Sequence, residues 1–206
     1  MHETGVIRGR GAKQLDWSRI DAWTALILAN DIAPVVAVFQ QHGAGTPEIV
    51  CDPPMEEMPV GPLRFLATHW RALAGNGVLP HIREIDPFKL RPALGYLMVL
   101  DPLDGGRDFR YRLYGSAIAR ISGLDMTKRK MSEHPASSYV SEFSIAIYRA
   151  SLILRAPIYS TRHPVGAELT MLGHRLSLPF ADDAGAPTRI LAGTMAIDSA
   201  GRMVKG

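Results

Sequence analysis

The sequence predicts an α+β fold: an N-terminal helical segment, then two strands, several helices and three further strands. Three observations predict it. The apolar period is helical to about residue 94, extended over 96–114, helical again over 116–155 and extended from 158 onward. Proline and glycine mark the changes of period. A chain of 206 residues that is 47% apolar supplies one main core with an appendage, not several separate cores.

From Leu15, the residues Ile20, Trp23, Ile27, Ile32, Val35, Val36 and Phe39 recur at helical spacing, with Asp16 and Ser18 placed to cap the start. Pro34 should kink or split this helix. Residues 43–62 carry Pro47, Pro53, Pro54, Pro59 and Pro62 and read as an extended linker between a helical extension (1–42) and the main domain (63–200). Leu63, Leu66, Trp70 and Leu73 then form a helical stripe, closed by Gly75, Asn76 and Gly77. Asp86 before Pro87 caps a short amphipathic turn over 88–94.

Residues 96–100 read as an apolar strand, and Pro102, Gly105 and Gly106 as a hairpin-type turn. Over 109–114 the alternation puts Phe109, Tyr111 and Leu113 on one face and Arg110, Arg112 and Tyr114 on the other. A short helix from Ser116 ends at Gly123, and an irregular helical piece covers 126–133. A long helix over 137–155 carries the stripe Tyr139, Val140, Phe143, Ile147, Ala150 and Leu154. Three strands follow, over 158–163, 169–180 and 188–198, the last two joined by the turn Asp182-Asp183-Ala184-Gly185.

Composition narrows the function classes. Lysine and arginine number 23 against 20 acidic residues, a net charge of +3 dispersed along the chain, which gives no footprint for nucleic acid. The single cysteine, Cys51, forms no intramolecular disulfide and reads as a surface thiol. The first 13 residues are polar and glycine-rich, unlike a secretory signal, and no apolar run approaches the ~18 residues that span a bilayer. A cytoplasmic protein without nucleic-acid or membrane partners is expected.

The segments Leu79-Pro80, Arg83, Ile85-Asp86-Pro87, Asp108-Phe109-Arg110-Tyr111-Arg112-Leu113 with Gly115, Gly123-Leu124-Asp125 and Leu178-Pro179-Phe180 resemble a family of bacterial PAS-like proteins in order and spacing. The resemblance covers about residues 63–198. It implies a PAS-like five-stranded antiparallel sheet with helices on one face, preceded by the N-terminal helical segment, and a sensory or regulatory role in signal transduction, the ligand being unknown. One departure stands out: the family often has glycine after the threonine of an Asp-x-Thr segment, whereas Lys128 follows Asp125-Met126-Thr127 here. That points to a reshaped turn.

A sheet roofed by short helices leaves an interior space between the two layers, and this is the expected ligand pocket. The residues expected to line it are Tyr96, Met98, Arg112, Tyr114, Met131, Tyr148, His174 and Met195. Arg112 and Tyr114 lead into the roofing helix, and His174 interrupts the apolar alternation Leu172, Leu176, Leu178, Phe180. Each has a plainer reading: methionines and tyrosines as core filler, Arg110 and Arg112 as a solvated face, Lys128, Arg129 and Lys130 as wet surface, His174 as a satisfied or edge histidine.

Known cofactor chemistries find little support. A flavin adduct or thioester-linked chromophore needs a cysteine inside the domain, and Cys51 precedes it. Haem needs an axial histidine facing the pocket; within 96–198 these are His134, His163 and His174, the first two next to prolines at element ends. No metal-ligand spacing, nucleophile elbow or phosphate loop occurs, and Glu56 and Glu57 are adjacent within the linker. The expectation is a non-catalytic module that binds a small molecule, acts on a separate signalling protein and forms a homodimer. Apolar residues around much of the first helix (Ile20, Trp23, Leu26, Ile27, Leu28) motivate the dimer. A homodimerisation scaffold and an enzyme with a cryptic site in the same pocket are the alternatives.

Overall fold

In the computed structural model, residues 14–56, 58–75, 78–163 and 172–205 are described. The first 13 residues, Glu57, Asn76, Gly77 and the start of the strand expected from 169 therefore lie outside the described residues.

The N-terminal segment forms two helices, α1 (Trp17–Leu28) and α2 (Ala33–Gln41). The Asp16 carboxylate caps α1 by accepting from the Arg19 amide at 3.0 Å. Pro34 splits the segment by opening the second helix, where the missing amide has no partner to lose.

The sheet has six strands in the order β1-β4-β5-β6-β2-β3, every neighbouring pair antiparallel. They are β1 (Glu48–Cys51), β2 (Leu97–Leu103), β3 (Asp108–Tyr114), β4 (Ile158–Arg162), β5 (Leu172–Ala181) and β6 (Pro187–Ile197). Tyr111 on β3 and Leu178 on β5 share this sheet. The strand beyond the expected five is β1, which lies in the stretch read as linker and pairs with β4 from Glu48↔Thr161 to Cys51↔Ile158. Pro47 and Pro53 flank its four residues and leave its amides free to pair, as an edge strand permits.

Three helices stand between strands: α3 (Gly61–Leu73) before β2, and α4 (Ser116–Ser122) and α5 (Ser138–Leu154) between β3 and β4. Gly123 ends α4 in the left-handed conformation, φ 69°. Along β2, side chains alternate between two cores. Met98 and Leu100, with Phe109, Ile190 and Ala192, face α1, α2 and α5. Leu97 and Val99, with Leu176, Leu178, Phe180 and Leu191, face Leu63, Leu66, Ala67 and Trp70 of α3. Helices thus cover both faces of the sheet, not one. The amphipathic stripe of α3 needs an apolar surface, and the second face of the central strands supplies it.

Two contacts fix α3 on that face. The Trp70 indole donates to the Pro179 carbonyl at 2.8 Å. A Cβ added at Gly193 of β6 would come within 2.6 Å of Leu66 and 2.7 Å of Leu63, so glycine is what lets the helix sit this close.

On β3 the expected alternation fails at its end. The pairing with β2 shifts between Val99 and Leu100, so that Val99 faces Leu113 and Leu100 faces Tyr111, with Arg112 as the extra residue of a β-bulge. Leu113 is turned out, 44% exposed, and Tyr114 is buried on the same side as Phe109 and Tyr111. An inserted residue reverses every later side chain, and period-2 counting has no means of seeing it.

α5 is buried at nearly every position from Tyr139 to Leu152 because the sheet lies on one side of it and α1 on the other. The stripe Ile20, Trp23 and Ile27 packs into this layer. α1 and α2 are therefore part of the domain core, not a separate extension.

Candidate functional site

The eight residues expected to line one pocket are divided by the sheet. Met98, Tyr114, Met131 and Tyr148 lie in the core between the sheet and α5. His174, Met195 and Tyr96 lie on the α3 side. Alternation is the reason: Met195 sits opposite His174 in the β5–β6 register, and both point away from α5. Arg112, the bulge residue, turns to solvent and pairs with Asp101 at 2.8 Å, an aspartate that also holds Arg189 at 2.8 Å. It takes no part in either core.

His174 is buried, and its Nδ1 lies 2.5 Å from the Tyr159 hydroxyl. Burial, with Glu48 adding to it, pushes the Tyr159 phenol up to about 12. The phenol stays protonated and donates to Nδ1 when the imidazole proton is on Nε2. Burial also lowers the His174 pKa, so this histidine is a satisfied neutral group. His134 serves a turn, its Nδ1 accepting from the Ala136 amide at 3.1 Å, and His163 is exposed. Among the described residues, no group of three His, Cys, Asp or Glu side chains is placed to hold a metal ion.

Cys51 is half-buried rather than a surface thiol, with Sγ 3.8 Å from the Ile27 carbonyl. Burial first, and Asp52 second, raise its pKa, which makes it less reactive. At the Asp125-Met126-Thr127 turn, Lys128 takes φ 69°. The turn keeps the left-handed backbone that glycine favours, and a lysine adopts it. Its amide donates to the Tyr111 carbonyl at 2.7 Å, and Asp125 accepts from the Thr127 amide and hydroxyl at 2.8 and 2.7 Å. These bonds hold the strained residue in place. Asp108, the first residue of the Asp-Phe-Arg-Tyr motif, is buried and accepts from the Ser132 hydroxyl at 2.7 Å. It ties β3 to the Met131 turn.

Between the sheet and α5 lies a cavity of about 30 Å³ lined by Phe143, Ser160, Arg162, Gly173, Arg175 and Thr194. Ser160 faces Arg175 across the β4–β5 pair, and Arg162 faces Gly173. The two arginines are thus diagonal neighbours on one face, and Gly173 leaves open the space a side chain would occupy. Arg175 donates to Ser144 of α5 at 2.9 Å and to Thr194 of β6 at 3.1 Å, and lies 5.6 Å over the ring of Tyr148. Among the described residues neither arginine has a carboxylate partner, and the buried hydroxyls of Tyr139 and Tyr148 make no hydrogen bond.

Electrostatics here are unusual for a core. Burial, and then the Arg175 cation, pull the Arg162 pKa down to about 10. Burial pushes the Tyr111, Tyr114 and Tyr148 phenols up, Tyr111 well above 10. Two cations thus lie beside neutral phenols, with no described carboxylate to balance them. The larger clefts, about 450 and 430 Å³, are open depressions near the two ends of the Leu152–Pro157 stretch, and in the second Arg71 and Asp52 already satisfy each other at 2.7 Å.

Reading the sequence missed Arg162 and Arg175. A signal for them existed: each is an arginine within a strand that carries apolar residues, in Ser160-Thr161-Arg162 after Ile158-Tyr159 and in Gly173-His174-Arg175 before Leu176. Attention to His174 selected the opposite face of the same strand.

A family model described as a PAS domain matches residues 58–196, from just before α3 to the penultimate residue of β6. No curated protein and no solved structure matches the chain. α1, α2 and β1 precede the matched residues, yet pack on α5 and β4. No described helix is long and apolar enough to cross a membrane. The match spans more than half of the chain and joins the strand order and the Asp108-to-Gly115 motif: this protein belongs to the PAS domain family.

Proposed function

We propose that this PAS domain is a non-catalytic sensory or regulatory module of the cytoplasm, which receives a small molecule between α5 and the sheet and acts on a separate signalling protein. The observation that carries this is the Arg162–Arg175 pair, two cations facing a cavity under α5 with no carboxylate among the described residues to pair with them. Occupation of that space alters how α5 rests on the sheet only to the extent that the ligand prefers one packing over another. α1 is fastened to the outer side of α5 through Glu142, which gives such a change a route to the surface.

A homodimer belongs to the same proposal. The stripe Ile20, Trp23 and Ile27 is buried within the protomer, so a second copy would meet a different surface. Hydrogen exchange of the natively purified protein, before and after extensive dialysis, with mass spectrometry of the dialysate, tests the sensory reading. The expected result is a released small molecule, unchanged chemically, and faster exchange in α1 and α5 after its removal. Exchange that is identical in both states would refute the proposal, and conversion of the released compound to a product would favour an enzyme.

A further inference from the structure

The cavity under α5 has a chemistry that narrows its occupant. Arginine is planar, keeps its charge at any physiological pH and presents parallel N–H donors that fit a carboxylate in bidentate fashion. The Arg162 guanidinium makes no hydrogen bond to a described residue, while Arg175 is held from two sides by Ser144 and Thr194. The Thr194 hydroxyl accepts from Arg175 and keeps its own proton to donate. Ser160 adds a second hydroxyl to the lining. Among the described residues, the side chains that face the space with hydrogen-bonding capacity are cations or hydroxyls, and none is a carboxylate.

Size sets the other limit. A water needs roughly 10–15 Å³ of such space, so a cavity of about 30 Å³ admits a group of about two or three heavy atoms in all. That suits a carboxylate head, whose carbon and two oxygens are three heavy atoms. Phe143 supplies an apolar wall on the α5 side, where a methyl group would rest.

We infer that the cavity between Arg162, Arg175, Ser160, Thr194 and Phe143 is a binding site for a small carboxylate of one or two carbons, held by the paired guanidinium groups. The inference rests on the reading of this interior as the receiving site of the domain. It deepens that reading by assigning the ligand's class.

The test uses the full chain and sodium formate or sodium acetate as probes, with ionic strength held constant by sodium gluconate, which is too bulky to enter. Thermal unfolding is followed against probe concentration. A ligand that binds only the folded state raises the midpoint with the logarithm of its concentration above Kd. The expected result is a saturable rise with formate or acetate in the wild type, its loss in Arg162→Met, and a weakened rise in Arg162→Lys. Without probe, Arg162→Met should melt at or above the wild-type temperature, since it removes a partly buried unpaired charge, so a lost response cannot be put down to misfolding.

Absence of a saturable rise in the wild type would overturn the assignment, as would a rise that persists in Arg162→Met. An equal rise with sodium chloride at the same concentration would overturn the carboxylate class and leave a halide site. Hydrogen exchange separates this inference from the broader one. Carboxylate binding that leaves α1 and α5 unchanged refutes the sensory reading and keeps the site, whereas release of a neutral native ligand keeps the sensory reading and removes the site.

Discussion

Glu142 and Arg19 meet at 2.8 Å although 123 positions separate them in the chain. Glu142 is 1% exposed in the first half of α5, and its other oxygen accepts from the Asp16 amide at 2.8 Å, at the start of α1. One buried carboxylate thus satisfies both a helix-terminal amide and a guanidinium, and this fastens the segment before the family match onto the family core.

Replacing Glu142 with alanine should lower stability by about 2 kcal/mol, the scale of a lost pair of charge-assisted hydrogen bonds. The loss stays below that of a fully buried ion pair because Arg19 can turn to water. Glu142→Gln should lose about half as much, since an amide oxygen still caps Asp16. Urea denaturation measures both, and equal midpoints for wild type and Glu142→Ala would show that the contact contributes nothing.

Gly115 and Gly193 are both intolerant of a side chain, to different degrees. A Cβ at Gly115 would lie 2.7 Å from the carbonyl carbon of Gly95 and 2.8 Å from the Leu97 oxygen, atoms of the backbone that cannot yield. At Gly193 the obstacles are the terminal methyls of Leu63 and Leu66, which can move. Gly115→Ala is expected to cost about 3 kcal/mol and Gly193→Ala about 1 kcal/mol. The reverse order in equilibrium unfolding would contradict the packing described.

Lys128 holds a left-handed backbone at φ 69°. A non-glycine residue in this region is strained by roughly 1–2 kcal/mol, and glycine gives part of that back as chain entropy. Lys128→Gly should therefore stabilise the fold by about 0.5–1 kcal/mol, while Lys128→Val should destabilise it. Thermal melts of the two variants decide the matter, and a destabilised glycine variant would mean that the lysine side chain itself supports the turn.

His174 predicts a pH dependence of stability. Its pKa is lowered in the folded state by burial from an ordinary value of 6.5, so below that value the unfolded chain binds more protons than the folded one. The contribution of the neutral imidazole is complete above pH 6.5 and diminishes as the pH falls toward the folded value. Stability measured from pH 8 to pH 5 should decline more steeply in the wild type than in His174→Gln. Parallel profiles would show that other groups govern acid sensitivity.

The order of elements was legible because it depends on local period and punctuation. The stripes of α1, α3 and α5, the cap at Asp16, the glycine end of α4 and the hairpin of β5 and β6 all follow from neighbours within a few residues. Resemblance in the Asp108-to-Gly115 run likewise pointed to the right family.

What the sequence determined by itself is which segments are helical or extended and how their apolar faces repeat. Tertiary structure decided which segments pair and which face each side chain finally takes. β1 exists because β4 offers it an edge, Tyr114 is buried because Arg112 is inserted into a ladder with β2, and Arg162 meets Arg175 because β4 and β5 lie in one register. Each of these is a relation between strands distant in the chain, set by hydrogen-bond pairing that periodicity within one strand does not encode.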